Sequence, residues 1–424
     1  MDKQLNILKI MIKTISHKIL NDSLYRNSTF LLASNFILAG FGMLFWGINA
    51  RLFTVEQIGL ATTIISTGTL ITVFALMGLN VSLIRYLPSS DQKNDLINTS
   101  LTIVGLTSII ITLFFFLGLN YFFPKLMIIT ENYYFMFGFI LLVVFNSLSE
   151  LIKNIFRAYL CSEFVLLKNT LLNLSKLILI LIFIPLGTLG IFSSWTVSLI
   201  IAATVSLFIL SRKFNFRFRI TINKNIVKKL IKFSSANYLS ELFERTPSLI
   251  LPMLITQFIS SSQAAFFYID MTLASFLYLL PEAISNSFFA ESSANEQHIR
   301  LYIIKVIKVY IVLLIPAVLF MVFLGKYLLL FFGKNYSDQG GNLLSLLALS
   351  AIFIAMNSVM GNIIRIKFQM SKLVLINLTG VIIILGLSYL LLQKSIMGVG
   401  WAWLIGQGIM SLAYLITIFR YKIS

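Results

Sequence analysis

Apolar runs fill this chain from residue 28 to residue 418, and each is long enough to cross a bilayer as a helix. A bilayer core requires about 20 apolar residues. Only 11% of the 424 residues are charged, whereas soluble domains contain about 25%. We therefore predict an all-α, polytopic membrane protein with short turns and no soluble catalytic domain. The twelve predicted spans are 28–50, 57–84, 97–119, 133–153, 164–185, 191–211, 233–256, 264–289, 303–324, 341–363, 373–392 and 398–418.

Lysine and arginine are distributed very unevenly over the gaps between these spans. When each cation is assigned to the nearer span end, 26 of the 33 fall on the side of the two termini and 5 on the opposite side. Because cytoplasmic segments are enriched in Lys and Arg, both termini are predicted to be cytoplasmic. Attraction to the anionic inner leaflet also accounts for the net charge of +18 without a nucleic-acid partner. Two cations, Lys176 and Arg245, fall in the middle of spans.

The densest basic run, from Arg212 to Lys232, lies at the midpoint and separates two sets of six spans. A shift of 208 residues aligns five pairs in one register: Asn154 with Asn362, Arg157 with Arg365, Asn169 with Asn377, Gly190 with Gly398, and Trp195 with Trp403. A repeat of six spans keeps its orientation, so we predict two parallel lobes related by an axis along the membrane normal. The predicted parts are a cytoplasmic segment 1–27, an N-lobe 28–211, a basic linker 212–232 and a C-lobe 233–424.

Several site classes are not supported by the residues. A single cysteine, Cys161, excludes an internal disulfide framework and a thiolate metal cluster. His17 and His298 lie outside the predicted spans, which argues against a histidine metal site within the membrane. No catalytic residue, metal or cofactor is predicted. The first apolar run follows a long basic segment, so we expect a retained span rather than a cleaved signal peptide.

Charged residues remain inside some predicted spans, where each costs roughly 2.5–3.5 kcal/mol on insertion scales. In span seven the polar residues recur at helical spacing and therefore share one face. They are Asn237, Glu241, Glu244, Arg245 and Ser248. Glu241 and Arg245 are four residues apart with the acid first, the favourable order for an ion pair within a helix.

Spans five and eight carry the other internal polar groups. Asn169, Asn173 and Lys176 share one face of span five, and Lys176 lies about 12 Å beyond Lys168 at about 1.5 Å per residue. Span eight contains Asp270 and Glu282. Our functional interpretation is one hydrated cavity shared by both lobes. Its predicted substrate-binding cations are Lys176 and Arg245, and its polar or coupling candidates are Glu241, Glu244, Asp270, Glu282, Asn169, Asn173 and Asn237.

Structural alternatives remain open for the same residues. Glu241, Glu244 and Arg245 form a self-neutralising cluster in one of them. In another, Lys176 pairs with Glu150 or a backbone carbonyl and only holds helices together. Asp270 and Glu282 lie nearer the predicted span ends, where their carboxylates would reach headgroup water.

Four short stretches resemble one family of membrane proteins. They are residues 51–60 (RLFTVEQIGL), 78–87 (GLNVSLIRYL), 332–336 (FGKNY) and 398–402 (GVGWA). In the first, Glu56, Gln57 and Gly59 match a turn that ends with an acidic or amide residue and a glycine opening the next helix. The chain thereby resembles a polysaccharide flippase of the multidrug/oligosaccharidyl-lipid/polysaccharide exporter superfamily. It is most similar to the branch that moves O-antigen or capsule repeat units.

This resemblance implies two six-helix lobes in a V around a cavity, working by alternating access. The implied substrate is an oligosaccharide repeat unit on undecaprenyl pyrophosphate, moved across the cytoplasmic membrane of a bacterium during lipopolysaccharide or capsule biosynthesis. Implied partners are membrane lipids, a polysaccharide polymerase and chain-length proteins. Lipid II flippases of the superfamily usually have fourteen spans, so twelve argues against that branch. A drug exporter of the same fold is the main alternative, and a membrane enzyme such as a polymerase would require a longer outer loop.

Overall fold

Twelve long helices make up the protein, as seen in a computed structural model that describes residues 23–392 and 395–420. They confirm the predicted all-α membrane fold. Residues 1–22, which include His17, and Lys394 lie outside the described residues. The helices are α1 Ser23–Leu52, α2 Val55–Leu76, α3 Lys93–Phe122, α4 Tyr133–Ala158, α5 Ser162–Phe183, α6 Thr188–Phe214, α7 Lys224–Phe258, α8 Ser261–Ala294, α9 Ile299–Leu329, α10 Lys334–Ile366, α11 Met370–Leu392 and α12 Met397–Arg420.

Local sequence explains several of the helix ends. The Thr54 side chain accepts from the backbone N–H of Gln57, and the Gln57 side chain accepts from that of Thr54, which starts α2 with a capping box. Asn223 caps α7 and Ser260 caps α8 in the same side-chain-to-backbone manner. After α2 the chain adopts a left-handed conformation at Met77 and continues as a short helix, Leu79–Tyr86. A π-helical turn, Tyr310–Leu314, interrupts α9.

Helix α7 differs from its neighbours in polarity. Eleven of the described helices are long and apolar enough to cross a membrane, and α7 is not among them. It nevertheless runs beside α2 and α11 within the bundle. Packing against its neighbours, rather than high hydropathy, therefore keeps α7 in the bundle. This is expected of a helix that borders a polar cleft.

The two halves of the chain repeat the same helix packing. Helix α1 packs on α5 as α7 packs on α11, and α4 packs on α6 as α10 packs on α12. The pairs α5–α6 and α11–α12 correspond as well. The helix contacts of one half thus recur in the other, as the predicted repeat of six helices requires.

The 208-residue register extends to single backbone positions. Leu160 and Phe368 both have positive φ, 55° and 56°, in the turns that follow α4 and α10. A positive φ is unusual for such side chains. Gly190 and Gly398 are also equivalent, because a Cβ at either would collide with a carbonyl seven residues earlier, that of Phe183 or Leu391. The tryptophan pair is not equivalent: Trp195 packs on α1 rings, whereas Trp403 donates to Ser350 Oγ at 3.1 Å.

The lobes form a V that is closed at one end. We call the end with the α1–α2 and α7–α8 turns the first-turn end, and the end with residues 215–223 the linker end. At the first-turn end one apolar core joins both lobes and includes Trp46, Ile58, Leu251 and Phe267. At the linker end the apolar residues divide into separate cores, one mainly of N-lobe residues and one of C-lobe residues.

Polar contacts follow the same pattern. At the first-turn end Arg51 donates from its guanidinium to the Leu330 and Phe331 carbonyls at 3.0 and 3.2 Å. On one flank the lobes remain joined toward the linker end, where Tyr238 of α7 donates to the Phe74 carbonyl of α2 at 3.1 Å. On the other flank α1 meets α8 through the rings of Trp46 and Tyr268, whose centroids are 5.0 Å apart.

The connection between the lobes is shorter than the predicted linker. Helix α6 ends at Phe214 and α7 begins at Lys224, so only residues 215–223 are non-helical. Asn98 of α3 holds this segment: its Nδ2 donates to the Arg217 carbonyl at 2.8 Å, and its Oδ1 accepts from the Arg219 N–H at 2.9 Å. The side-chain amide thus satisfies backbone groups that form no hydrogen bonds within a helix or sheet.

Candidate functional site in the cleft between the lobes

Polar side chains in the interior of α7 are exposed at the cleft between the lobes. Arg245 is in the interior of α7, yet its side chain is 54% exposed, and its Nη2 lies 3.2 Å from Glu241 Oε1. Glu244 is exposed beside it, and Asn237 and Ser248 are half-buried. The predicted single polar face and the predicted Glu241–Arg245 pair are therefore both present.

Three carboxylates and two guanidinium groups line the C-lobe wall. Glu244 is close enough to interact electrostatically with Arg365 of α10 and Glu282 of α8, besides Arg245 and Glu241. Glu282 is exposed. This wall therefore carries a formal charge of −1 and suits a ligand with cationic or hydroxyl groups.

The N-lobe wall is basic. Glu150 of α4 forms an ion pair with Lys153, 21% exposed, and also interacts electrostatically with Lys168 of α5. It interacts as well with Arg245 of the opposite lobe. The two walls thus face each other through Glu150 and Arg245.

The polar face of α5 does not reach this cleft, and the expectation of one cavity shared by the α5 and α7 faces is wrong for α5. Asn169, Asn173 and Lys176 are at most 3% exposed. Asn169 Nδ2 donates to Ser34 Oγ of α1 at 2.7 Å, and Asn173 Nδ2 donates to the Asn169 carbonyl at 2.8 Å. Both Nδ2 groups donate to partners within the N-lobe, so the face turns inward rather than toward the cleft.

Lys176 has an aromatic environment. Its Nζ lies 3.9 Å from the ring centroid of Trp195 and 5.3 Å from that of Phe45, and a buried cation over a ring face is attracted by the ring quadrupole. The alternative in which Lys176 pairs with Glu150 is wrong, because Lys176 is not among the charges that act on Glu150 within the described residues. Trp195 and Phe45 also pack on Trp46, which contacts the C-lobe.

Asp270 lies apart from the cleft charges. It is fully buried at 0% exposure, so the alternative in which it reaches headgroup water is wrong. Within the described residues neither carboxylate oxygen has a hydrogen-bond partner. The group packs against Gly340 of α10, where an added Cβ would lie 2.6 Å from Oδ1 and 2.7 Å from Oδ2. The glycine leaves room for the carboxylate.

The cations counted on the side of the termini include Arg157, Lys153, Lys168 and Arg365, and none of them was predicted as a site residue. Lys168 is only 4% exposed, which a lysine placed for orientation would not be. The repeat contained the signal that was missed. It aligned Arg157 with Arg365, and the structure gives each the same contact, to Asn154 Oδ1 at 3.5 Å and Asn362 Oδ1 at 3.4 Å.

Two repeated six-helix lobes around a polar cleft are the fold of solved structures of the multidrug/oligosaccharidyl-lipid/polysaccharide exporter superfamily. A structure of the lipid II flippase MurJ in an inward closed conformation covers 92% of this chain and 87% of its own, at 13% identity and a TM-score of 0.73. An outward-facing multidrug resistance MATE transporter covers 95% and 97%, at 14% identity and a TM-score of 0.64. The Vibrio cholerae MATE transporter VcmN covers 94% and 97%, at 14% identity and a TM-score of 0.61.

At these identities the likeness concerns the fold. The family is defined by the sequence itself: the model of the family described as polysaccharide biosynthesis protein matches residues 24–290, more than half of the chain. The chain belongs to this family. No curated sequence shows significant similarity to it.

Proposed function

We propose that the protein moves undecaprenyl-pyrophosphate-linked oligosaccharide repeat units from the cytoplasmic to the outer leaflet of a bacterial cytoplasmic membrane, for O-antigen or capsule assembly. The observation that carries this proposal is the pair of charged walls, Glu150 with Lys153 and Glu241 with Arg245, in a cleft that opens at one end. Such charges are expensive in a bilayer and are retained where they line a polar pathway.

The cation distribution makes the linker end cytoplasmic in this proposal, with both termini on that side. The V then faces inward, and the pyrophosphate enters the cleft while the prenyl chain stays in the lipid between α1 and α8. Arg245, exposed on the cleft wall, contacts the anionic headgroup. Asn237 and the C-lobe carboxylates are suited to hydrogen-bonding sugar hydroxyls.

The sequence predicted Lys176, with Arg245, as a substrate-binding cation. Its enclosure by aromatic rings favours a role without direct contact to the substrate. We propose that its ammonium steadies the Phe45 and Trp195 rings behind the contact between Trp46 and Tyr268. Opening of the first-turn end requires these rings to move.

Asp270 is the proposed coupling group. A buried carboxyl group without a hydrogen-bond partner in the described structure can change its protonation with the lobe's conformation, as in other gradient-driven transporters. Asp270→Asn should retain the fold, and its transport in vesicles should no longer respond to an imposed proton or sodium gradient. A full response in this variant would contradict the assignment.

Single replacements test the proposed function and its cleft residue together. Cells whose own flippase is deleted should regain surface polysaccharide with the wild-type chain. At equal protein level, Arg245→Ala should lower the amount of surface polysaccharide at least about tenfold. Lys176→Ala should also lower it, because the Phe45 and Trp195 rings lose the ammonium that steadies them. No restoration by the wild-type chain would reject the function. Restoration by Arg245→Ala at the wild-type level would reject only the site.

The second candidate is an exporter of cationic small molecules. The three carboxylates of the C-lobe wall, Glu241, Glu244 and Glu282, favour it because they would attract such compounds. Cells that express the chain should then accumulate less of a cationic dye than cells that express Glu244→Gln. Equal accumulation in both would remove this candidate.

A further inference from the structure

The linker-end half of the N-lobe contains a basic cluster, Lys153, Arg157 and Lys168, with Glu150 as its carboxylate. Lys168 Nζ donates to Ser149 Oγ at 2.8 Å and to the Ser149 carbonyl at 3.2 Å. It is also in electrostatic range of the other three charged groups. Three cations and one carboxylate therefore give the cluster a formal charge of +2.

Arg157 has unused donors. Its Nη1 makes one long hydrogen bond, to Asn154 Oδ1 at 3.5 Å. Its Nε is buried and has no acceptor among the described residues. Leaving a buried guanidinium donor unsatisfied is costly. A planar donor fork of this kind fits the oxygens of a phosphate.

The repeat supplies an internal comparison. Arg365 has the same hydrogen bond to Asn362 and the same unsatisfied Nε. Its charge, however, lies beside the Glu244 carboxylate. The two arginines thus occupy equivalent places on cleft walls of opposite charge, +2 around Arg157 and −1 around Arg365.

We propose that Arg157, Lys168 and Lys153 form the primary pyrophosphate site of the cleft, on its N-lobe wall. This inference rests on the proposed function and names the part of the cleft that first takes the anionic headgroup. Glu150 interacts with Arg245 across the cleft, so the cluster borders the space between the lobes. Lys153 and Arg157 belong to the last two turns of α4, at the open end. Lys153 stays paired with Glu150 until the pyrophosphate displaces the carboxylate.

Binding of farnesyl pyrophosphate to the full chain in nanodiscs tests the site. Arg157→Gln should weaken binding at least about tenfold, because a charge-assisted fork is lost. Glu150→Gln should strengthen it at least about threefold, because the cations lose their own carboxylate. A gain of affinity cannot result from misfolding, and melting temperatures in the same nanodiscs confirm the fold of the weaker variant.

Arg365→Gln is the matched control, since it removes the equivalent guanidinium from the acidic C-lobe wall, and its affinity should stay within about twofold of wild type. Equal weakening by Arg157→Gln and Arg365→Gln would overturn the N-lobe assignment. Wild-type affinity in both Arg157→Gln and Glu150→Gln would also overturn the N-lobe assignment. In that case, restoration of surface polysaccharide by the wild-type chain would still support the proposed function. If wild type restores no polysaccharide and binds no farnesyl pyrophosphate, both proposals fail.

Discussion

Thr63 and Thr256 join the two lobes through their hydroxyl groups, whose oxygens lie 2.7 Å apart. Thr63 belongs to α2 and Thr256 to α7, both near the first-turn end, and each side chain is fully buried. Close by, the backbone of Gly59 meets the Ser261 carbonyl so closely that no Cβ fits between them. Small residues thus let the lobes approach each other at the closed end. Alternating access requires this contact to separate.

A covalent bond at this contact should stop transport. We expect Thr63→Cys/Thr256→Cys, made in a Cys161→Ala background, to form a disulfide on oxidation and to lose transport until it is reduced. In the control pair Thr69→Cys/Thr256→Cys, oxidation should change nothing, because Thr69 lies six residues, about 9 Å, further along α2 than Thr63. Undiminished transport by the cross-linked chain, with cross-linking verified by mass spectrometry, would show that this end does not open.

The room beside Asp270 should be indispensable. Gly340→Ala is expected to destabilise the protein by about 1–3 kcal/mol, because the new methyl group overlaps the carboxylate. Gly341→Ala is the control: its Cβ meets the flexible side chain of Lys326, at 3.2 Å. Asp270→Ala in the Gly340→Ala background should regain stability but not coupled transport. Thermal unfolding in detergent measures the first effect. A stable Gly340→Ala chain would contradict the packing.

The repeated glycines should be equally sensitive. Gly190→Ala and Gly398→Ala place a methyl group against backbone carbonyls, which cannot move aside as a side chain can. Each should cost about 1–3 kcal/mol. Gly386→Ala, with no atom within 4 Å of the added Cβ, should instead stabilise α11 by up to about 1 kcal/mol. Melting temperatures measure these effects. A loss of stability in only one of the Gly190→Ala and Gly398→Ala variants would contradict the structural equivalence of the two glycines.

Cys161 offers a test of topology and of its own environment. Burial, and next the Glu163 carboxylate, raises the pKa of this thiol. Because the thiolate is the reactive form, alkylation at pH 7 should be slower than that of free cysteine. It should rise about tenfold per pH unit up to the raised pKa. An impermeant maleimide should reach Cys161 only in inside-out vesicles. Ser395→Cys in a Cys161→Ala chain should label only in right-side-out vesicles. The reverse pattern would invert the topology.

Residue type and spacing along the sequence were enough to predict much of this protein's structure. Apolar runs of bilayer length predicted the twelve helices, since a span must satisfy its backbone internally. The pair Glu241–Arg245 was predictable because residues four apart on a helix are neighbours. The repeat was readable because Asn, Arg and Gly are rare enough in apolar sequence for one shared register to stand out.

Only the tertiary structure decided which polar faces meet. Helical spacing shows that Asn169, Asn173 and Lys176 share a face, but not whether it points to the cleft, to lipid or into the lobe. Ser34 of α1, 135 residues from Asn169, determines that this face turns inward. The same holds for Arg157 and Arg365, because their difference comes from Lys168 and Glu244 on other helices. Sequence determined the helices, and packing between distant segments determined which charges meet.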